Sequence, residues 1–436
     1  MKGKRIYPVR GRSPQGDRSH SSKTRAASNG IYFDYAATTP VDPEVLKAMQ
    51  PYFKEKYGNP GSLHSFGQEA TAAVDKARET IAKAIGADFR EIVFTGSATE
   101  ANNLALHGVI KAYKTNKSNW SNKSYRIIVS AIEHESILET ARDLEKEGVE
   151  IIYLPVDKNG FVGLGKLKKS LNERTVLVSV MYANNEIGTI QSISAIAEEI
   201  RKWKVESRNS EQKNSKFYFL NSNFPLFHTD AVQAFQYLDC DVNKLGADLM
   251  TLSAHKIYGP KGIGALFVKT ISPIGPIGPI GPIITGGGQE FGLRSGTENI
   301  PAIVGFAKAA ETASKNRVKE SKRIFKLRNY FWKELKKIYP LAEANGQMSD
   351  VKCLPNILNV YFSGLKAEDL LIKFDMAGIA VSAGSACRAR SLEPSYVLHA
   401  MSFPENRISQ SLRFSFGRFT TLQEIKDAIR RMKKLF

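Results

Sequence analysis

The sequence predicts an α/β protein with a mostly parallel β-sheet covered by helices on both faces. Apolar, β-branched runs at 126–130, 175–180 and 262–268 are typical of strands buried on both faces. Segments with helical spacing separate them, as at 74–85, where Gly86 follows as a candidate helix C-cap. The 436 residues are too many for one small core and indicate two domains.

Polar or small residues follow five of the predicted strands. These strands lie at 91–94, 126–132, 175–182, 224–227 and 247–252. The carboxyl ends of parallel strands meet at one edge of a sheet, and ligands of such folds bind there. We therefore expect the motifs that follow these strands to line one crevice.

The composition is that of an ordinary globular chain with excess positive charge. Hydrophobic residues make up 42%, charged residues 24%, and the formal net charge is +19. Residues 1–30 contribute +7 of this charge and are poor in apolar residues, which predicts a disordered basic N-terminal tail. The other basic residues match no nucleic-acid-binding motif, so we predict no direct nucleic-acid contact. We also predict no membrane contact, because no run of about 18 apolar residues occurs.

The cysteine content indicates a reducing compartment. Three cysteines without a CxxC pair argue against a disulfide framework or a structural zinc site, and we expect no metal. We therefore predict a cytoplasmic protein. The Arg- and Ser-rich residues 1–30 leave organellar targeting as the alternative.

Lys256 is the candidate for holding a covalent cofactor. It ends the motif SAHK at 253–256, between a predicted strand and the glycine-rich turn at 259–264. A lysine held in a dry pocket has a lowered pKa, which suits an amine that forms a Schiff base. The alternative from this motif alone is an ordinary loop lysine.

Three further motifs carry groups that could hold a phosphate and a flat ring. The motif TGSATEAN at 95–102 opens a helical pattern, and free N–H groups at a helix start favour a phosphate. Asp230 could pair with a protonated pyridine nitrogen, and Gln233 could donate to a phenolate oxygen. His134 could stack on a ring or move a proton, and the alternative is a structural histidine.

Cys387 is the candidate nucleophile. It lies in SAGSACRAR at 382–390, where small residues predict a mobile loop. Arg388 and Arg390 would favour its thiolate form. A buried, inert thiol is the alternative, although its neighbours argue against burial. Farther along, Arg413 has the planar donor fork that grips a carboxylate.

Taken together, the motifs resemble the cysteine desulfurases of the NifS/IscS type, in the class V aminotransferase group. In chain order they are FDYAATTP (33–40), TGSATEAN (95–102), EH (133–134), NNEIG (184–188), SAHK (253–256), RSGT (294–297), SAC (385–387), SLEPSY (391–396) and RFSFGRFT (413–420). The resemblance implies the type I fold of pyridoxal-phosphate-dependent transferases. It implies a large domain at 46–317 with a mostly parallel, seven-stranded sheet. It also implies a smaller α+β domain, made of 31–45 and 318–436, that carries the cysteine loop.

The resemblance also implies a role for each motif residue. Lys256 carries pyridoxal 5′-phosphate, and the expected catalytic residues are Lys256, Cys387 and His134. The other expected cofactor contacts are Ser97, Ala98, Thr99, Asp230, Gln233, Ser253 and His255, with Thr297 reaching the phosphate of the neighbouring subunit in a homodimer. Asn185 and Arg413 are expected to orient the substrate carboxylate, and Asn59 is a further substrate-side candidate.

The implied reaction converts L-cysteine to L-alanine and leaves the sulfur on Cys387 as a persulfide. The sulfur would pass to an iron–sulfur scaffold protein or another acceptor, for cluster assembly or tRNA thiolation. IscS-type proteins usually continue beyond the position of Phe436 into a tail that helps dock the scaffold, so we expect that docking to differ. The alternatives are a selenocysteine lyase or other class V enzyme, and a sulfur carrier without turnover.

Overall fold

The computed structural model describes residues 30–115, 125–211, 224–269, 280–349, 351–384 and 394–436. Cys387 and the predicted N-terminal tail lie outside the described residues. The strands are β1 (Ile31–Tyr32), β2 (Ile92–Thr95), β3 (Arg126–Ser130), β4 (Glu150–Leu154), β5 (Thr175–Ser179), β6 (Leu226–Asp230), β7 (Leu249–Ser253), β8 (Gly264–Val268), β9 (Ala342–Asn345), β10 (Ile357–Phe362), β11 (Ile379–Ala380) and β12 (Ser411–Ser415).

The helices are α1 (Pro43–Met49), α2 (Pro51–Lys54), α3 (Ser65–Ala84), α4 (Ala98–Thr115), α5 (Glu135–Lys146), α6 (Leu164–Ser170), α7 (Ile193–Glu211), α8 (Val242–Leu245), α9 (Ile300–Ile338), α10 (Ala367–Met376), α11 (Tyr396–Ala400), α12 (Glu405–Ile408) and α13 (Leu422–Met432). Short 3₁₀ turns occur at Phe89–Glu91, Ala254–Lys256 and Glu290–Gly292. Among the described residues, none of the helices is long and apolar enough to cross a membrane.

The large sheet has seven strands in the order β2-β8-β7-β6-β5-β3-β4. Strand β8 runs antiparallel to both of its neighbours, and the other pairs in the sheet are parallel. The carboxyl ends of β2, β3, β5, β6 and β7 therefore lie at one edge. This confirms the predicted α/β fold with a mostly parallel, seven-stranded sheet.

Helices cover both faces of the large sheet because its strands are apolar on both sides. Ile127 and Val129 of β3 pack in one apolar cluster that includes residues of α4 and α5. Ile128, between them, packs in the other cluster, which includes residues of α3, α7 and α9. Neighbouring residues of a strand point to opposite faces, so two buried faces require an unbroken apolar run.

Two smaller sheets lie beyond the large one. Strands β12, β10 and β9 form an antiparallel sheet, and β1 pairs in parallel with β11. The N-terminal segment thus joins the C-terminal part of the chain. Helix α9 runs through the predicted domain boundary at 317/318 without a break. The division into a large and a small domain therefore stays a prediction.

Strand β6 differs from the sequence prediction in its position. The run at 224–227 predicted a strand that ends before His228, but the strand continues to Asp230. The polar side chains are accommodated because neighbouring strands supply their partners. The His228 ring nitrogens lie 2.8 Å from Ser179 Oγ of β5 and 3.0 Å from Thr251 Oγ1 of β7.

Candidate active site

The five predicted strand-end motifs do lie at one edge of the large sheet. Lys256 ends the 3₁₀ turn after β7, and its Nζ donates to the carbonyl oxygens of Ala36 and Ala37, each at 2.7 Å. Gln233 Nε2 also donates to Ala36 O, at 3.0 Å. The segment that follows β1 therefore brings the Lys256 and Gln233 side chains to one place, although they follow different strands.

Asp230 is the last residue of β6, and its carboxylate is buried and held from two sides. Its Oδ1 accepts from the backbone N–H of Val232 at 2.9 Å, and its Oδ2 accepts from Asn102 Nδ2 at 3.0 Å. Asn102 also donates to Ser136 Oγ at 2.8 Å. The sequence motifs predicted no role for Asn102. Asn102 lies one helical turn after Thr99, on the same face of α4, and this spacing could have indicated that it belongs to the site.

His134 caps the start of α5, where its ring is fixed beside Asp230 and Lys256. Its Nδ1 accepts from the backbone N–H of Ser136 at 3.1 Å, so the proton of the neutral ring lies on Nε2. Burial lowers the pKa of His134, and the positive charge of Lys256 lowers it further, while Asp230 opposes this. The neutral ring is therefore the form that the site favours.

The start of α4 offers a place for a phosphate. The first N–H groups of a helix have no partner within the helix, which applies to Ala98 and Thr99. Ser97 Oγ accepts from the N–H of Glu100 at 3.1 Å and caps the turn. A Cβ on Gly264 would lie 2.8 Å from the N atom of Ala98, so glycine is required for this close approach.

Ser253 ends β7 beside this helix start, since it pairs with Gly264, and His255 lies two residues later in the 3₁₀ turn. Ser253 Oγ is buried and has no hydrogen-bond partner within the part of the chain that the structure describes. His255 Nδ1 lies 3.2 Å from Thr38 Oγ1. Burial, with the charge of Lys256, lowers the pKa of His255 to about 3, so its ring is neutral. An orphaned hydroxyl, free helix N–H groups and the glycine cradle fit a phosphorylated cofactor.

Arg413 and Asn185 form the candidate substrate subsite. The Arg413 guanidinium is buried, and it donates to Asn185 O at 2.9 Å and to Asp34 Oδ1 at 2.8 Å. Arg413 Nε and Asn185 Oδ1 are both buried without a hydrogen-bond partner among the described residues. The Arg413 Nε–H can donate to the carboxylate of an amino acid, and Asn185 Oδ1 can accept from its ammonium group.

Two predicted site residues are exposed and are not brought to this cluster. Asn59 Oδ1 accepts from the N–H of Gly61, within its own loop, at 2.9 Å. Thr297 is exposed on the segment after the 3₁₀ turn Glu290–Gly292. The same segment carries Arg294, whose Nε donates to Glu100 Oε1 at 2.8 Å beside the phosphate-loop candidate. The roles of Asn59 and Thr297 stay predictions.

Two glutamates for which the sequence motifs predicted no role, Glu133 and Glu186, are fully buried at this edge. Glu133 Oε1 accepts from the N–H of Met181 at 2.6 Å, and burial raises the pKa of Glu133 well above its usual range. Glu186 Oε2 accepts from Ser395 Oγ at 2.5 Å, and Tyr396 OH donates to Glu133 O at 2.6 Å. These contacts tie the start of α11 to the ends of β3 and β5.

The two described cysteines are buried, and both are poor nucleophiles. Burial raises the pKa of the Cys240 thiol to about 12. Burial also raises the pKa of the Cys353 thiol. A thiol reacts as its thiolate, so neither of these side chains suits sulfur transfer at neutral pH.

Comparisons with known proteins agree with this geometry. The aminotransferase class-V family model matches residues 31–206 and 219–427. A cysteine desulfurase IscS of Dictyoglomus turgidum is 43% identical over 395 residues, which cover 91% of each chain. A cysteine desulfurase IscS of Rickettsia africae is 43% identical over 400 residues, covering 92% of this chain and 89% of the relative.

Solved structures of related proteins give the same result. A NifS-like protein superposes with a TM-score of 0.80 at 35% identity, over 93% of this chain and 99% of the other. A second NifS-like protein, from Rickettsia africae, has a TM-score of 0.76 at 32% identity, again over 93% and 99%. A third, described as SspA in complex with cysteine, has a TM-score of 0.73 at 33% identity, over 90% and 100%. The chain therefore belongs to the aminotransferase class-V family, among its NifS- and IscS-like cysteine desulfurases.

Proposed function

We propose that this chain is a cysteine desulfurase that converts L-cysteine to L-alanine and takes the sulfur onto Cys387 as a persulfide. The observation that carries the proposal is the meeting of Lys256, Asp230 and His134 at one strand-end edge of the large sheet. Arg413 of β12 joins this edge through its hydrogen bond to Asn185 O. The IscS relatives, similar over 91% of the chain, support the same reaction. One solved relative is described as a complex with cysteine, which supports the substrate.

The proposed cofactor is pyridoxal 5′-phosphate, which when bound draws electrons from the α-carbon of an amino acid and weakens the bonds there. Lys256 would hold it covalently, Asp230 would pair with its pyridine nitrogen, and Gln233 would contact its ring oxygen. The phosphate would be held by residues at the start of α4 and the end of β7, namely Ser97, Ala98, Thr99, Ser253 and His255. His134 would stack on the ring.

The surroundings of each side chain support its proposed task. The Lys256 amine lies against two carbonyl oxygens, which orient it for taking and returning the α-proton of the substrate. Asn102 and the N–H of Val232 fix the plane of the Asp230 carboxylate. His134 remains neutral and keeps its Nε2 proton.

Arg413 and Asn185 would orient the substrate. Asp34 holds one side of the Arg413 guanidinium, which leaves the buried Nε to donate to the substrate carboxylate. Asn185 Oδ1 would accept from the substrate ammonium group. A buried charge-assisted hydrogen bond of this kind contributes about 1.5–3 kcal/mol.

Sulfur transfer is assigned to Cys387 from its motif and from the burial of the other two cysteines. The Cys387 thiolate attacks the substrate sulfur. An S–S bond forms, the substrate Cβ–S bond breaks, and its electron pair stays on the carbon skeleton, which takes up a proton to give alanine. Arg388 and Arg390 follow Cys387 in the sequence and would favour its thiolate form.

We propose that the enzyme is a homodimer in which Thr297 of one subunit reaches the phosphate site of the other. Exposed apolar side chains at 53–66 support an interface, since Tyr57 is 68% and Leu63 91% exposed. The Tyr57 and Phe66 rings lie 5.9 Å apart within this surface. Light scattering should give about twice 48.3 kDa, and a monomer at micromolar concentration would contradict the proposal.

An iron–sulfur scaffold protein is the proposed acceptor of the sulfur, with tRNA thiolation as the second use. The cytoplasm is the proposed compartment. Incubation of the persulfide form with a scaffold protein, followed by a count of sulfur atoms transferred, tests the acceptor. Transfer to small thiols alone would contradict it.

The reaction is tested by incubating the purified protein with L-cysteine and a reductant and measuring alanine and sulfide together. Equal amounts of the two products are expected, and fresh protein should be yellow from the bound cofactor. Cys387→Ser should lose sulfide release, whereas the matched control Cys240→Ala should keep it. Normal sulfide release by Cys387→Ser would show that the nucleophile is wrongly assigned. Faster turnover of selenocysteine together with no sulfide would favour the selenocysteine lyase alternative.

A further inference from the structure

We propose that Arg78 and Glu290, which lie outside every motif of the site, are positioning residues for the cofactor phosphate. The proposal rests on the proposed binding of pyridoxal 5′-phosphate and extends it to two further side chains. Arg78 lies on α3, and Glu290 begins the 3₁₀ turn Glu290–Gly292. They are 212 positions apart in the chain.

The two side chains form a buried, two-pronged ion pair. Arg78 is 5% exposed and Glu290 is 6% exposed. Arg78 Nη1 lies 2.7 Å from Glu290 Oε2, and Nη2 lies 2.8 Å from Oε1. Such parallel hydrogen bonds fix orientation as well as distance, because the guanidinium and the carboxylate are both planar.

The pair also holds strand β2 in place. This strand leads into residues 96–99, the proposed phosphate loop. Arg78 Nη1 donates to the carbonyl oxygen of Ile92 at 2.5 Å, and the backbone N–H of Phe94 donates to Glu290 Oε2 at 2.8 Å. Both contacts are on β2, which ends at Thr95, immediately before the loop of Gly96. A shift of either charged group therefore moves the strand that carries the loop.

Aromatic rings enclose the guanidinium and keep water from it. The Arg78 Cζ atom lies 4.9 Å from the ring centre of Phe94, 4.8 Å from that of Phe291 and 5.7 Å from that of Phe89. Ring faces attract a cation, more strongly where water is excluded. If Glu290 lost its charge, Arg78 would have to move, because a buried cation without a partner is costly.

The backbone at the pair is held in an unfavourable conformation. Glu290 has φ of 49° and Phe291 has φ of 58°, which are left-handed values in residues other than glycine. Such conformations persist where the surrounding contacts enforce them, and they cluster at functional sites. The ion pair supplies that enforcement for the turn Glu290–Gly292.

The same turn leads directly to a second ion pair at the phosphate loop. Arg294 Nε donates to Glu100 Oε1 at 2.8 Å, and Glu100 Oε2 accepts from the N–H of Gly96 at 2.8 Å. The loop is thus fixed at β2 by the first pair and at Glu100 by the second. The proposed consequence is that loss of the Arg78–Glu290 pair weakens phosphate binding in particular.

The experiment compares binding of pyridoxal 5′-phosphate with binding of pyridoxal, which lacks the phosphate, to cofactor-free protein. Glu290→Gln should weaken binding of the phosphorylated compound by about tenfold, as expected for a displaced charge-assisted contact. Binding of pyridoxal should stay at the wild-type level. Glu150→Gln is the matched control, since Glu150 pairs with Arg126 at 2.5 Å. Glu150 lies on β4, the outermost strand on the other side of the sheet from β2. This control should leave both affinities unchanged.

The outcomes separate this proposal from the proposed function. Unchanged binding of pyridoxal 5′-phosphate by Glu290→Gln would overturn the positioning role, as would an equal loss for both compounds. Arg78→Lys is the second variant if Glu290→Gln does not fold. It keeps the charge but loses the two-pronged geometry, and the same selective loss is expected. Failure of the wild-type protein to bind either compound would instead refute the proposed cofactor.

Discussion

Replacing His228 with glutamine should reduce the sensitivity of the protein to acid. The imidazole of His228 is fully buried in the large sheet, 2.8 Å from Ser179 Oγ and 3.0 Å from Thr251 Oγ1. Burial lowers its pKa to about 3. In the unfolded chain a histidine titrates near its usual value of about 6.5.

The sign of the effect follows from proton binding in the two states. Between about pH 6.5 and pH 3 the unfolded chain carries a proton on His228 and the folded protein does not. The contribution of His228 to the free energy of unfolding is therefore fully present above about pH 6.5. It is lost progressively as the pH falls towards about 3. Linkage gives a loss of about 2 kcal/mol in the free energy of unfolding between pH 7 and pH 5 from this residue.

The assay is urea unfolding of the cofactor-free protein at pH 7, 6 and 5, followed by circular dichroism. His228→Gln should be less stable at pH 7 by about 1–3 kcal/mol, because a buried hydroxyl loses its partner. Between pH 7 and pH 5 it should lose about 2 kcal/mol less than the wild-type protein does. His399→Gln removes an exposed imidazole and should keep the wild-type pH dependence. Identical pH dependence of wild type and His228→Gln would refute the reasoning.

Three further outcomes are expected at the site. Arg413→Lys should raise KM for L-cysteine by about 10- to 100-fold through loss of the guanidinium fork, with cofactor affinity kept; an unchanged KM in steady-state kinetics would remove Arg413 from the substrate subsite. Cys240→Ala and Cys353→Ala should each keep desulfurase activity, and mass spectrometry after brief alkylation of the folded protein should find both thiols unmodified, since burial raises their pKa. Ser253→Ala should weaken binding of pyridoxal 5′-phosphate by about threefold to tenfold and leave pyridoxal binding unchanged; equal effects on both compounds would argue against phosphate contact.

Much of the fold could be predicted because burial on two faces imposes a readable pattern. A strand of a parallel sheet must be apolar on both sides, so 126–130 and 175–180 indicated strands without any knowledge of their partners. Strand β6 was predicted to end at Phe227, three residues before its observed end at Asp230, for the opposite reason. His228 and Asp230 are polar, and only hydrogen bonds from neighbouring strands and helices make their burial favourable.

The candidate site divides in the same way, into residues that a local pattern predicts and residues whose partners lie far away in the chain. Residues such as Lys256, Asp230 and Ser253 could be chosen because they follow the strands predicted from the sequence and belong to ordered motifs. Asn102 could not be assigned, since its role depends on Asp230, 128 positions later. Glu290 could not be assigned either, because its partner Arg78 lies 212 positions away and neither sits in a motif.

The sequence by itself determined the α/β class, the strand-end positions of most cofactor candidates and of Asn185, and the resemblance to cysteine desulfurases. These properties rest on local pattern and on the order of the motifs. The tertiary structure alone decided which polar groups pair, and which thiols are buried and therefore have a raised pKa. It also showed that the Arg78–Glu290 pair holds β2 and that the Arg294–Glu100 pair holds Gly96, which follows β2. Pairing and burial depend on residues far apart in the chain, so no local pattern contains them.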